Sequence, residues 1–430
     1  MILGHVIKRE RKKQNLKQSH LAAGVCSPSH LSKIENNETS PSDEVVAQLF
    51  QKLGIKMDAI PELSQPSIEE KLLPELLTIY REVTENRNKE YIQEKIGYLF
   101  DNRLLYTKKE IFYMYNLVML RLLLSTSSHL QKVHFYLQPL LDDRDSLDAY
   151  QSFLLCKIEG MYAFHLKKYK QAKVNFDAAY KLSYRLRDGW ELADFYYMYA
   201  LIHVVNEQNA SSIEYSQKAL HFYIGNFQFE RVIECYTLQG IAYKRIKKCE
   251  ESMQVYRKIE SIIERFNLKE YERVLFQNIG CLYVALGDFQ KAIMYYKRSL
   301  ARKTELEEKL LSIFSIVRSY SRLHDGKSVR EWIKKGLDLL EGRTEPIIYM
   351  HHLLFYREIY SEEMHLQVKQ LTSIVQYFSE IEDYRHAYKY SMKIGELLMN
   401  RKKYKDASHF YKLAMEYNHI YRGVRYWEDI

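Results

Sequence analysis

Residues 277–300 read QNIGCLYVALGDFQKAIMYYKRSL. Starting from Gly280, small residues fall twelve and nineteen positions on, at Ala292 and Ser299, and a ring falls sixteen on, at Tyr296. Tyr283, Gly287 and Phe289 lie between them. The same order returns at Gly160, Ala172, Phe176 and Ala179, with Tyr169, and at Gly395, Ala407, Tyr411 and Ala414, with Tyr404. Gly240, Ser252 and Tyr256, with Tyr243, follow it more loosely. Ala200, Ser212 and Ala219 are weaker, and a window around Val317 and Tyr320 is weakest. The leading positions 160, 200, 240 and 280 recur every forty residues. Small residues let paired helices touch, and rings fill the gap between pairs. Units that cannot bury an apolar face alone must stack into an array.

This is the tetratricopeptide pattern, stretched beyond its usual ~34 residues. From about residue 67 to the C-terminus nearly everything reads as helix broken by short polar turns. The expected fold is all-α: a small headpiece, then a right-handed solenoid with a concave inner face. Only 15 Gly and 7 Pro in 430 residues argue against a sheet-rich chain. Most of the 37 Tyr are expected to be inter-repeat packing residues. Offsets from the small residues place the inner face of each first helix. They select Lys157, Met161 and His165, then Tyr197, Leu201 and Val204, then Thr237, Ile241, Lys244 and Arg245. Gln277, Asn278 and Cys281 follow, then Phe314, Arg318, Ser321 and Arg322. This lining, apolar and cationic, suits a short peptide with an apolar centre and a carboxylate. An inward amide at Asn278 can bond both the N–H and the C=O of an extended ligand backbone; an ordinary surface Asn is the other reading. Residues 67–145 are helical without the pattern, either degenerate repeats or a separate bundle leading into the array.

Composition narrows the function. No phosphate loop, GxGxxG, GxSxG or HExxH occurs, so no cofactor and no catalytic residue is expected. His351 and His352, with Glu358 nearby, are adjacent on a helix and point apart by ~100°, so no metal site is expected there either. Asp142, Asp143 and Asp145 read as a polar turn. Five scattered cysteines, with no CxxC, fit buried thiols in a reducing compartment. Lys8 argues against a signal peptide. The most apolar run, LVMLRLLL at 117–124, is short and broken by Arg121, so no membrane span is expected. A net charge of +9 favours a polyanionic partner.

That charge gathers at the start. Lys8, Arg9, Arg11, Lys12, Lys13 and Lys17 face one acid, Glu10. A first helix is expected from about Leu3 to Gln14, with Leu3 and Ile7 inward. QSHLAAGVCSPSHLSKIE, 18–35, then reads as two short helices around a corner. Leu21, Val25, Leu31 and Ile34 supply a core, with Cys26 expected inside it. Ser27 caps the second helix and Pro28 opens it. That helix presents Ser29, His30, Ser32 and Lys33, side chains able to bond base edges in a major groove. A further helix is expected over about Ser42–Leu53, stopped by Gly54. Prolines at 61 and 66 mark the end of the headpiece, giving residues 1–60, a linker 61–66, helices 67–145 and an array 146–430.

Gly4-x-x-Ile7-Lys8-x-x-Arg11, Leu16-x-Gln18-x-x-Leu21-Ala22, Leu31-Ser32-Lys33-Ile34-Glu35-Asn36 and Pro41 together resemble the phage-repressor-like helix-turn-helix family, over about residues 3–56. The resemblance implies a lambda-repressor-like headpiece. In it Gln18 clamps a phosphate, Arg11 and Glu35 form an internal ion pair, and Ser27, Ser29, His30, Lys33, Asn36, Arg9 and Lys12 meet bases or phosphates. The corner between Ala22 and Leu31 is one residue shorter than the common repressor pattern. With the array behind it, the chain resembles the Rap/Rgg/NprR/PlcR/PrgX group of Gram-positive quorum-sensing proteins, nearest the PlcR and NprR branch. That implies a cytoplasmic homodimeric transcription regulator. Its partners are a double-stranded operator with two half-sites and a short signalling oligopeptide. Bound at Lys157, His165, Tyr197, Lys244, Arg245, Gln277, Asn278, Arg318 and Arg322, the peptide rearranges the array. A second reading stays open: a Rap-like phosphatase or inhibitor of a response regulator, acting through 67–145, alone or beside DNA binding.

Overall fold

A Cβ added to Gly160 would sit 2.4 Å from the ring of Phe176, one on Gly280 2.5 Å from Tyr296, and one on Gly395 2.7 Å from Tyr411. The small residue and the ring sixteen positions on are thus in direct contact, ring against bare backbone, at each of the three clearest repeats. The structure is a computed structural model. It describes residues 3–36, 38–55, 66–85, 88–102, 109–126, 130–186, 188–342, 347–361 and 368–423. No strand occurs among them; the fold is helical, as the composition requires. Two compact units, Met1–Ile246 and Lys247–Ile430, divide inside the array.

The first unit begins with α1 (Leu3–Lys13), α2 (Gln18–Ala22), α3 (Pro28–Glu35) and α4 (Asp43–Lys52). Val6, Ile7, Leu21, Ala22, Leu31, Ile34, Val46, Leu49, Phe50 and Leu53 form its core. Cys26 and Val25 only half-bury at the edge of that core, because the corner turns them toward the surface. Ser27 accepts the His30 amide at 3.1 Å, and Pro28 occupies the first helical position. Gly54 ends α4 with φ +71°, which a side chain would strain. The stretch 56–65, which holds most of the expected linker, lies outside the described residues.

Next come α5 (Pro66–Glu85), α6 (Lys89–Asp101), α7 (Lys109–Thr126) and α8 (Leu130–Asp142). Every residue of α7 from Ile111 to Leu124 is buried. The most apolar run of the chain is therefore core, surrounded by α5, α6, α8 and the first array helix. Among the described residues no helix is long and apolar enough to cross a membrane.

The array opens with α9 (Ala149–His165) and α10 (Tyr169–Leu182), then α11 (Gly189–Val205) and α12 (Asn209–Gly225), then α13 (Phe229–Arg245). Rings of Phe153, Phe176, Tyr180, Phe195, Tyr199 and Tyr215 stack across these pairs at centroid distances of 4.6–6.4 Å. Three of the tyrosines pack there, and such ring pairs add to plain area burial. Lys167, Glu207 and Gly287 occupy the same turn position, seven after the leading small residue, with φ of 61°, 62° and 80°.

The second unit holds α14 (Cys249–Phe266), α15 (Glu272–Ala285), α16 (Phe289–Leu300), α17 (Leu306–Arg322), α18 (Gly326–Asp338), α19 (Ile348–Ile359), α20 (Val368–Glu380), α21 (Tyr384–Asn400) and α22 (Tyr404–Arg422). The weak window around Val317 is a helix pair after all. There Gly336 on the second helix approaches Leu353 and Ile313, so the small residue has moved to the other partner.

Gly160→Ala is expected to destabilise the chain by about 1–3 kcal/mol, because Phe176 is fully buried and cannot yield without disturbing Phe195. Urea unfolding of the full chain measures it.

Candidate functional site

The headpiece site is set by one buried ion pair. Arg11, on α1, donates through Nη2 to the Glu35 carboxylate at 2.8 Å and through Nη1 to the Leu16 carbonyl at 2.7 Å. Glu35, at the end of α3, is fully buried. Gln18 opens α2 and donates its amide to the same carboxylate at 2.8 Å. Three helices are thereby pinned at one point, and the α3 start is held outward. The pair expected between Arg11 and Glu35 is present. Gln18, expected to clamp a phosphate, is half-buried and gives one of its two amide N–H donors to Glu35.

Around this pin the α3 face is as the sequence places it. Ser27, Ser29 and Lys33 are exposed, His30 half-exposed. Lys12 is exposed on α1. Asn36 accepts the Lys8 ammonium at 3.0 Å, which ties α1 to the end of α3. The Arg9 side chain lies outside the described residues. Ser27, Ser29, His30 and Lys33 share one short helix, with exposed hydroxyls and a cation, a surface suited to a phosphate backbone and base edges.

The array residues fare differently. Lys157 is fully buried, not on an open inner wall. Its ammonium sits 2.7 Å from Asp194 and 3.2 Å from the Tyr80 hydroxyl. Burial pulls its pKa down, yet Asp194, Tyr80 and Glu191 together outweigh that and the net shift is upward. Gln277 is buried too: its carbonyl accepts from Lys303 at 3.0 Å and Ser312 at 2.8 Å, and its amide donates to Ser315 at 3.1 Å. Burial lowers the Lys303 pKa to about 8. Both residues depart from the expected lining because a buried polar group needs partners, and neighbouring helices supply them.

Asn278 is half-buried and donates to the Val274 carbonyl one turn back at 3.0 Å, so that donor is taken. Tyr197 is half-buried under the Arg231 guanidinium, 4.3 Å from its ring. His165 is half-buried, and burial lowers its pKa. Lys244 is half-exposed, and Arg245 is exposed with its guanidinium on the Val204 carbonyl. Arg318 and Arg322 are exposed on α17, Arg318 above the Phe314 ring at 5.6 Å.

The structure brings Lys157 together with three residues that the offsets missed. Arg121, Asp194 and Arg231 meet it from α7, α11 and α13. Arg231 lies 37 residues after Asp194, and Asp194 lies 73 after Arg121. Charged residues recurring at about one repeat inside otherwise apolar first helices are the signal that could have found them.

His351 and His352 are packing residues. His351 stacks on Tyr377 at 3.5 Å, and His352 lies between Phe314 at 4.4 Å and the His386 ring at 4.7 Å.

The family model described as "Helix-turn-helix" matches residues 7–60, and "Tetratricopeptide repeat" matches 275–305. The chain is 27% identical to the transcriptional activator NprA of Geobacillus stearothermophilus over 412 residues, covering 92% of this chain and 98% of that one. Its fold matches the apo form of the quorum sensor NprR from B. thuringiensis, with TM-score 0.66 at 18% identity, covering 81% of this chain and 98% of that one. It also matches a Rap protein complexed with Competence and Sporulation Factor, TM-score 0.66 at 16% identity, covering 83% and 99%. Headpiece and array together define a helix-turn-helix protein with a tetratricopeptide-repeat array. The resemblance read from the residues stands: in its matched segments and in its fold the chain is similar to the Rap/Rgg/NprR/PlcR/PrgX proteins.

Two predictions follow from these geometries. Arg11→Met leaves Glu35 buried without its cation, so the headpiece is expected to lose about 3–5 kcal/mol, read as loss of the α1–α4 amide signals in NMR at a temperature where the array stays folded. Burial, with His386 beside it, holds His352 far below an ordinary imidazole, at about 3, so the folded form keeps it neutral. The unfolded chain takes up that proton first as pH falls. Stability is therefore full above about pH 6.5 and falls below it by up to about 1.4 kcal/mol per pH unit until about pH 3. Urea midpoints between pH 7.5 and 4.5 should decline less steeply in His352→Asn than in the wild type.

Proposed function

We propose that this protein is a cytoplasmic, homodimeric transcription regulator whose operator binding is switched by a short peptide bound in the array. The observation that carries it is the pairing of an exposed, capped α3 face with a repeat array on one chain. Ser27, Ser29, His30, Lys33 and Asn36 read or flank the bases, with Lys12 and Arg9 on phosphates. Two heads on one dimer must meet half-sites about one helical turn apart, ~34 Å. An array whose curvature changes moves its ends, and a ligand preferring one curvature by ~1–3 kcal/mol changes operator affinity severalfold. That NprR was solved with its cognate peptide NprX supports the peptide as ligand.

The test is fluorescence anisotropy of the full chain on duplexes from the DNA flanking its own gene. Synthetic peptides from the C-terminus of any short adjacent reading frame are added. Operator affinity is expected to change severalfold with one such peptide. Lys33→Ala should weaken binding and reduce the salt slope by about one. Binding that ignores every candidate peptide sinks the gating; full-strength binding by Lys33→Ala sinks the α3 interface.

A further inference from the structure

Five helices of the first unit each send one polar side chain to a single buried point: Tyr80 from α5, Arg121 from α7, Lys157 from α9, Asp194 from α11 and Arg231 from α13. The Asp194 carboxylate lies 2.7 Å from Lys157, 2.9 Å from Arg231 and 3.4 Å from Arg121. None of these four side chains is more than 5% exposed. Positive charge outnumbers negative there. Glu234 relieves Arg231 at 2.8 Å from the half-buried rim. Glu191, three residues before Asp194, is only partly ionised near neutrality: burial raises its pKa to about 7, against the opposing pull of Lys157 and of the hydrogen bond that Tyr150 donates to it.

Arg121 is the least well served. A guanidinium carries five donors. Its Nη2 reaches Asp194 only at long range. Its Nη1 faces the thioether sulfurs of Met161 at 3.2 Å and Met198 at 3.7 Å. Its Nε is buried with no acceptor. Thioether sulfur is a weak acceptor, so a buried cation is left partly unsolvated where a carboxylate oxygen would bond it about twice as strongly as a neutral group. The cover is also movable: Met198 is only half-buried, and methionine repacks readily.

We propose that Arg121, backed by Lys157 and Arg231, is the receptor for a carboxylate of the array's ligand, the oxygen taking the place of the methionine sulfurs on Nη1. The proposal rests on the peptide-gated reading and adds to it a ligand class, a peptide that presents a carboxylate from its C-terminus or from an Asp or Glu side chain. Lys157 holds the hydroxyl of Tyr80, and Tyr80 lies on α5, the first helix after the stretch that joins the headpiece to the rest.

The test uses the full chain and two positional-scanning libraries of synthetic hexapeptides, one with free C-terminal acids and one amidated. Each fixes one position in turn as Glu or Gln, and binding is read by calorimetry. The expected result is that binders lose about tenfold or more in affinity when the acid becomes an amide. A loss on amidating the terminus assigns the C-terminal carboxylate, and a loss on Glu to Gln assigns a side chain. Arg121→Met should erase that difference. It is expected to fold, because Asp194 keeps Lys157 and Arg231 and the new side chain packs beside Met161 and Met198. Arg121→Lys should restore part of the difference by keeping the charge. The comparison of acid with amide on the wild-type chain stands whether or not either variant folds. Peptides that bind equally as acid and amide overturn the carboxylate receptor while the peptide-gated reading stands. Binding by no peptide of either library overturns both.

Discussion

Paired helices in this protein touch where a side chain is missing. Gly160, Gly280 and Gly395 each hold bare backbone against a ring, at separations that a methyl group would not permit. That contact sets the distance within a helix pair, and the distance decides which residues of the next pair can interlock. Rings at Phe153, Phe195 and Tyr199 then close the space between pairs. Van der Waals attraction falls away within an ångström, so the whole stack inherits its geometry from these close approaches.

The two functional regions solve the problem of buried charge in opposite ways. In the headpiece one carboxylate, Glu35, takes bonds from Arg11 and Gln18, and a neighbouring backbone carbonyl takes a further bond from Arg11. A satisfied pair of this kind fixes three helices and leaves nothing for a ligand. In the array's first unit one carboxylate serves three cations, and Arg121 is left with sulfur for a partner. Satisfied networks give rigidity, and under-satisfied ones leave interaction energy for a ligand to collect. The likeness to NprR and Rap folds concerns architecture.

Much of the fold was legible beforehand because it rests on patterns with a period. The cap at Ser27, the stop at Gly54 and the small-to-ring spacing of the repeats are local rules, and each appears where the residues place it. The Arg11–Glu35 pair followed from a family resemblance and is there. The candidate ligand residues were less legible. Offsets along one helix say which face a side chain leaves from, not what it meets. Lys157 and Gln277 were expected on an open wall, and both are buried among partners on neighbouring helices.

Sequence alone determined that this protein is helical, that it repeats, and that a basic helix-turn-helix headpiece precedes the array. Those properties depend on residue type and spacing along one chain. Tertiary structure decided which charges meet. Asp194 and Arg231 are 37 residues apart in sequence, and Asp194 and Arg121 73 apart. Such distances become contacts only when successive pairs stack with a particular twist, and that twist is the sum of many small packing choices. Whether a lysine on a first helix faces solvent, a ligand or a buried aspartate is settled by the helix that packs against it.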